Sequence, residues 1–172
     1  MELLEWPGKL PSRIWMPDED HSYQREPPEG IVIHSGAIGP DLAGAAKRMK
    51  ISYHFAHSTE HGQLVQMVSM RRRAWHAGPK GNHWLSVALQ GPWDKDPRTD
   101  AELLDFRLLM KELQEAFNGS LKFWCRHSDI EARKKDPGPG FDESWIRGFG
   151  LEWRRAWPSA PHAFTSLNSD RT

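Results

Sequence analysis

The chain has 172 residues, which suits one domain with its own core. Its 23 basic and 23 acidic residues cancel, so no electrostatic field points to nucleic acid or to an anionic membrane. A single cysteine, Cys125, excludes an internal disulfide, and no apolar run approaches the roughly 18 residues of a membrane span.

Residues 1–30 are rich in Pro, Asp and Glu and show no lasting periodicity. They read as an irregular arm that wraps the domain, anchored through Trp6 and Trp15. Met1 to Pro7 carry neither a basic region nor an apolar run, so a cytoplasmic product without a signal peptide is expected. Ile31-Val-Ile-His34 is a β-branched run bounded by Gly30 and by Ser35-Gly36, the mark of a buried strand. His34 falls at its C-terminal end. Asp41 to Met49 reads as a short helix with Asp41 as N-cap.

Ile51 to His57 alternates, with Ile51, Tyr53, Phe55 and His57 on one face and Ser52, His54 and Ala56 on the other. A turn at Glu60-His61-Gly62 leads to Gln63–Val68, the second strand of a hairpin. Trp75-His76-Ala-Gly78 and Asn82 lie in a Gly-rich loop, and Trp84–Leu89 is a further strand. Thr99 and Glu102 form a capping box for a helix over Ala101–Phe117, whose stripe is Leu103, Phe106, Met110, Leu113 and Phe117. Asn118-Gly119 ends it. Leu121–His127 is a strand, Phe141–Phe149 a short helix with Asp142 as N-cap, and 158–172 a disordered Ser/Asn/Pro-rich tail. Strands mixed with helices predict one α/β domain over 31–157, a central mixed sheet flanked by helices.

His34 ends one strand, His127 ends another, and Asp136 follows a charged loop closed by Pro137-Gly-Pro-Gly140. Two imidazoles and a carboxylate make a catalytic zinc set that leaves a fourth position for water. Taken singly, each histidine is as readily a hydrogen-bonded core or surface residue, and no compact His-x-x-x-His exists to decide it.

Four segments, in order, resemble the type-2 family of zinc-dependent N-acetylmuramoyl-L-alanine amidases, whose fold is shared with peptidoglycan recognition proteins. Ile31-Val-Ile-His34-Ser resembles the family's first ligand strand, and Ile51-Ser-Tyr53-His-Phe its Tyr-His-Phe strand. Trp75-His76-Ala-Gly78 with Asn82 resembles its WHAG…N loop. Arg126-His127-Ser-Asp-Ile, then Arg133-Lys134-Lys-Asp136-Pro-Gly-Pro, resembles its GHsDiapgRKtDPGp block.

The resemblance implies one Zn²⁺ held by His34, His127 and Asp136. It implies Lys134 as the oxyanion-stabilising lysine, against the plainer reading of a solvated loop charge like Lys135. Tyr53 matches the tyrosine near the zinc water, against the alternative of a sheet-face aromatic. His76 and Asn82 would bind glycan or stem peptide at the cleft rim. Arg71, Arg72 and Arg73 read as a solvated run, with substrate carboxylates as the alternative.

The chain departs from the pattern in two places. Where recycling-type members carry a glutamate base on the sIGiel strand, this one reads Ser86-Val-Ala-Leu-Gln90, and the loop between His127 and Asp136 is one residue shorter. The missing carboxylate favours the tyrosine-using branch. The expected protein is therefore a monomeric, bacteriolytic phage or prophage endolysin that acts on the cell wall after release. The alternatives are a cytoplasmic muropeptide-recycling amidase and a non-catalytic peptidoglycan-binding module.

Overall fold

The computed structural model describes residues 21–22, 26–36, 48, 50–58, 63–89 and 100–156. The anchors Trp6 and Trp15, the helix expected over Asp41–Met49 (all but Arg48), the turn at 59–62, Thr99 and the tail lie outside them.

Six strands form one mixed sheet in the order β3-β2-β4-β1-β5-β6. They are β1 (Gly30–Ser35), β2 (Phe55–Ser58), β3 (Gln63–Gln66), β4 (Leu85–Leu89), β5 (Phe123–Arg126) and β6 (Glu152–Trp153). The expected hairpin is present as the antiparallel β2–β3 pair; every other pairing is parallel. Both neighbours of β1 are parallel, so it is covered on both faces and reads as a continuous apolar run.

Alternation along β1 divides the molecule. Ile31 and Ile33 face the larger core, where they meet Phe55, Leu85, Val87 and the inner stripe of helix α2 (Asp100–Ala116). That stripe is Phe106, Leu109, Met110 and Leu113, each at most 1% exposed. Burying one such side chain contributes about 1.5–3 kcal/mol. Asn118 (φ 46°) and Gly119 (φ 75°) take left-handed conformations and end the helix. Val32 and His34 face the other way, towards Cys125, Ala88 and two short helices, α1 (Gly78–Gly81) and α3 (His127–Ile130); a third, α4 (Ser144–Arg147), sets Ile146 into the larger core.

One strand begins later than its alternation predicts. The ladder of β2 starts at Phe55, not Ile51. At the bend, His54 N–H donates to Ser86 Oγ (3.0 Å) and its carbonyl accepts from Met67 N–H (2.9 Å). Tyr53 consequently packs with Ala56, while Phe55 joins the helix-side core. The helix expected over Phe141–Phe149 is a single turn, with Phe141 buried ahead of it and Ile146 buried within it.

Gly30 is required by close approach. A Cβ there would stand 2.6 Å from the Trp84 ring, which lies across the start of β1. Gly30→Ala is expected to cost about 1–3 kcal/mol through this overpacking. A urea midpoint unchanged from wild type would show that Trp84 can move aside.

Candidate metal centre and its cleft

The centre forms where parallel strands end, at the carboxyl edge of the sheet, the usual ligand side of an open α/β sheet. His34 is the fifth residue of β1 and pairs in register with Ala88 of β4. His127 follows β5 directly and opens α3. Asp129 holds this turn: its Oδ2 accepts from Arg126 N–H (2.8 Å) and from Trp153 Nε1–H (3.0 Å). The charged loop then turns through Lys134 N–H on Glu131 O (2.9 Å) and folds back so that Ser128 N–H donates to Asp136 O (3.1 Å). These backbone bonds bring Asp136 beside both imidazoles.

His34 Nδ1 lies 3.1 Å from Asp136 Oδ2, and His127 Nδ1 lies 3.0 Å from both carboxylate oxygens. One ligand atom from each residue fits within 4.8 Å of the other two, the only such three-residue cluster among the described residues. His34 is wholly buried, and burial pushes its pKa down to about 4, so its imidazole is neutral at neutral pH. Burial opposes the charge of Asp136, but its bonds to His127 and His34 outweigh this and hold it well below the usual carboxylate range. His127 Nε2 is buried without a hydrogen-bond partner. Two imidazoles around an ionised carboxylate, with a buried ring nitrogen of His127 that no hydrogen bond occupies, form a donor set suited to Zn²⁺.

The trio opens into a cleft of about 860 Å³ that Tyr53, Trp75, Glu131 and Lys134 also line. Tyr53 is 9% exposed, with its ring 5.0 Å from that of His34. Burial and then the charge of Asp136 raise its pKa, so its hydroxyl stays protonated and can donate. Lys134 is exposed and lines the cleft; Lys135 does not. On β4 the register partner of His34 is Ala88, and none of Leu85–Leu89 is a carboxylate. Cys125 is buried in the sheet, its thiol pushed up to about 12 by burial.

His76 and Asn82 both line the cleft. His76 is nevertheless 6% exposed, and its ring nitrogens lie 3.0 Å from His34 Nε2 and 3.2 Å from Trp84 O. Asn82 uses its Oδ1 to accept from His76 N–H (3.0 Å) and Ala77 N–H (2.8 Å), holding the loop closed. Arg72 and Arg73 brace the N-terminal arm, through Arg72 Nη1–H on His21 O (2.9 Å) and Arg73 N–H on Ser22 O (2.8 Å).

Sequence patterning also assigned no part to His21 or His54. His21 stacks on Trp75 with ring centroids 4.3 Å apart and meets Ser52 Oγ (2.9 Å), so the arm backs one wall of the cleft. His54 is buried; its Nε2–H donates to Arg72 O (2.8 Å) and its Nδ1 accepts from Ser86 N–H (3.1 Å). A neutral ring alone satisfies both. Burial lowers its pKa from 6.5 to about 4, so the unfolded chain takes up a proton first as pH falls. Its contribution is complete above pH 6.5 and lost between 6.5 and about 4. The metal-free protein is expected to lose about 2 kcal/mol from this residue between pH 7.5 and pH 5. His54→Gln should flatten that part of the urea-unfolding profile; an equally steep profile would place the acid lability elsewhere.

The family model described as N-acetylmuramoyl-L-alanine amidase matches residues 24–139. The 1,6-anhydro-N-acetylmuramyl-L-alanine amidase AmpD of Escherichia coli K12 is 33% identical over 127 residues, 67% of each chain. The N-acetylmuramoyl-L-alanine amidase endolysin LysCS of Clostridium intestinale superposes with TM-score 0.64 at 16% identity, over 83% of this chain and 97% of that one. Peptidoglycan recognition protein SA of Drosophila does so with TM-score 0.60 at 17% identity, over 88% and 96%. At these identities the two structural likenesses carry the fold alone.

Proposed function

Because the chain belongs to the N-acetylmuramoyl-L-alanine amidase family, we propose that its cleft hydrolyses the amide between the lactyl carboxyl of N-acetylmuramic acid and L-alanine. The observation that carries this is the convergence of His34, His127 and Asp136 from three separate segments at the floor of an open cleft. These three residues would hold one Zn²⁺, which when bound acidifies a water and polarises a carbonyl.

The chain's own groups do the rest. Asp136 brings the negative charge that a neutral histidine pair lacks. The Tyr53 hydroxyl, protonated and beside His34, donates to the attacking water or to the oxygen of the tetrahedral intermediate. Lys134 presents an ammonium from the cleft wall to charge that develops only in the transition state. The face of Trp75 not covered by His21 offers an apolar wall to the substrate.

The family does not by itself choose between polymeric and soluble substrate. The similarity to the E. coli 1,6-anhydro amidase supports a soluble anhydro-muropeptide as the first candidate, and so favours the recycling alternative over the expected endolysin. The endolysin reading is kept second, supported by Gln90 in the sequence where recycling-type members carry a glutamate, and by Tyr53 in the cleft. The experiment is to present zinc-loaded protein with a soluble 1,6-anhydro-muropeptide and with intact sacculi, and to quantify new L-alanine amino termini. Faster release from the soluble compound supports recycling; preference for sacculi restores the lytic reading. Release from neither, by protein that has taken up zinc, leaves a binding module. Tyr53→Phe is expected to keep its zinc and lose about 10²-fold in kcat on the better substrate.

A further inference from the structure

Two imidazoles and a backbone carbonyl follow one another inward from the centre. His34 is buried at the floor, His76 lies against it, and the Trp84 carbonyl lies behind His76. Each neutral imidazole has one N–H and one bare nitrogen, and which is which depends on the partners. A carbonyl only accepts, so His76 Nε2, 3.2 Å from Trp84 O, must carry the hydrogen. His76 Nδ1 is then bare and accepts from His34 Nε2–H at 3.0 Å. That turns His34 Nδ1 to Asp136 Oδ2 at 3.1 Å, where a proton bonds the two in the metal-free protein and a metal ion would take its place.

We propose that His76 is a positioning residue that fixes the tautomer of His34, transmitting the polarity of the Trp84 carbonyl so that the His34 Nδ1 lone pair faces the metal position. This rests on the zinc reading above and adds a role to a residue outside the ligand set.

The alternative order puts a hydrogen on His34 Nδ1 and on His76 Nδ1. His76 Nε2 would then turn its lone pair on the Trp84 carbonyl, a buried repulsion with no donor between them. His54, whose ring is 6.2 Å from that of His76, does not compete, because Arg72 O and Ser86 occupy its nitrogens. The selected order sets a lone pair of His34 against an ionised carboxylate, an arrangement that a cation between them relieves. Histidine ligands elsewhere commonly donate their second N–H to an outer partner, and losing that partner costs about 10–100-fold in metal affinity. Here the outer partner is itself a histidine, and a backbone carbonyl orients it.

The test is a ¹H–¹⁵N spectrum of zinc-loaded protein labelled at histidine, paired with chelator competition for zinc. The wild type should show His76 as the Nε2–H tautomer, its Nδ1 accepting from His34. His76→Leu, which removes the acceptor, should weaken zinc binding about 10–100-fold while keeping the three ligands. His76→Asn, whose side-chain oxygen can stand near the lost Nδ1, should recover part of that loss. Thermal unfolding of the metal-free variants checks that they fold; if the leucine variant does not, the wild-type spectrum and the asparagine variant decide. A His76 Nδ1–H tautomer in the zinc-loaded wild type, or unaltered zinc affinity in a folded variant, overturns the proposal. A wild type that binds no zinc instead overturns the zinc reading on which it rests.

Discussion

Asp136→Asn is expected to remove zinc binding and hydrolysis together. The substitution keeps the side chain's shape but removes the charge that both imidazoles address at 3.0–3.1 Å. Lewis-acid stabilisation amounts to several kcal/mol of transition-state energy, so the rate should fall by about 10³-fold or more. The substitution also has a reading in stability. A ligand that binds only the folded state stabilises it by about 2.7 kcal/mol at a hundred times its dissociation constant. A chelator should therefore lower the unfolding midpoint of the wild type and leave that of Asp136→Asn unmoved. A variant that still holds zinc and turns over at wild-type rate would remove Asp136 from the centre.

Lys134→Ala is the second large effect, and it should separate chemistry from binding. Lys134 lies on the loop between Glu131 and Asp136 and faces the cleft. A preorganised cation aimed at a developing oxyanion contributes about 10²–10³-fold in kcat. The expected result is a fall of that size in kcat, with KM and zinc content little changed. A rise in KM at constant kcat would recast Lys134 as a contact for the carboxylates of the stem peptide.

The larger features were readable because they leave local marks. The run Ile31-Val-Ile between glycine and serine marks β1, and the spacing of Phe106, Met110 and Leu113 marks α2. The ligand set was readable only through its motif blocks, since Asp136 lies 102 residues from His34 and periodicity says nothing over that distance. The bend at His54 was not readable, because it depends on Ser86 of a neighbouring strand. Nor was the inward turn of His76. Its partners are a side chain on β1 and a carbonyl at the start of β4, and only the finished sheet brings the two together. The family resemblance placed His76 at the cleft, which it lines, and says nothing of the bonds its ring makes to β1 and to Trp84.

The middle position of β1 has a consequence for synthesis. Its two neighbours, β4 and β5, both follow it in the chain, and the second is reached only after α2. On the ribosome, β1 emerges early and waits for partners whose pairing closes long loops, the slow kind of contact. His34 meets Asp136 only after 102 further residues have been made. An unfinished chain thus lacks the assembled trio, and under the proposed zinc reading capture of the ion would report that translation and folding have passed Asp136. Zinc uptake by nascent chains of graded length would record that moment as a step.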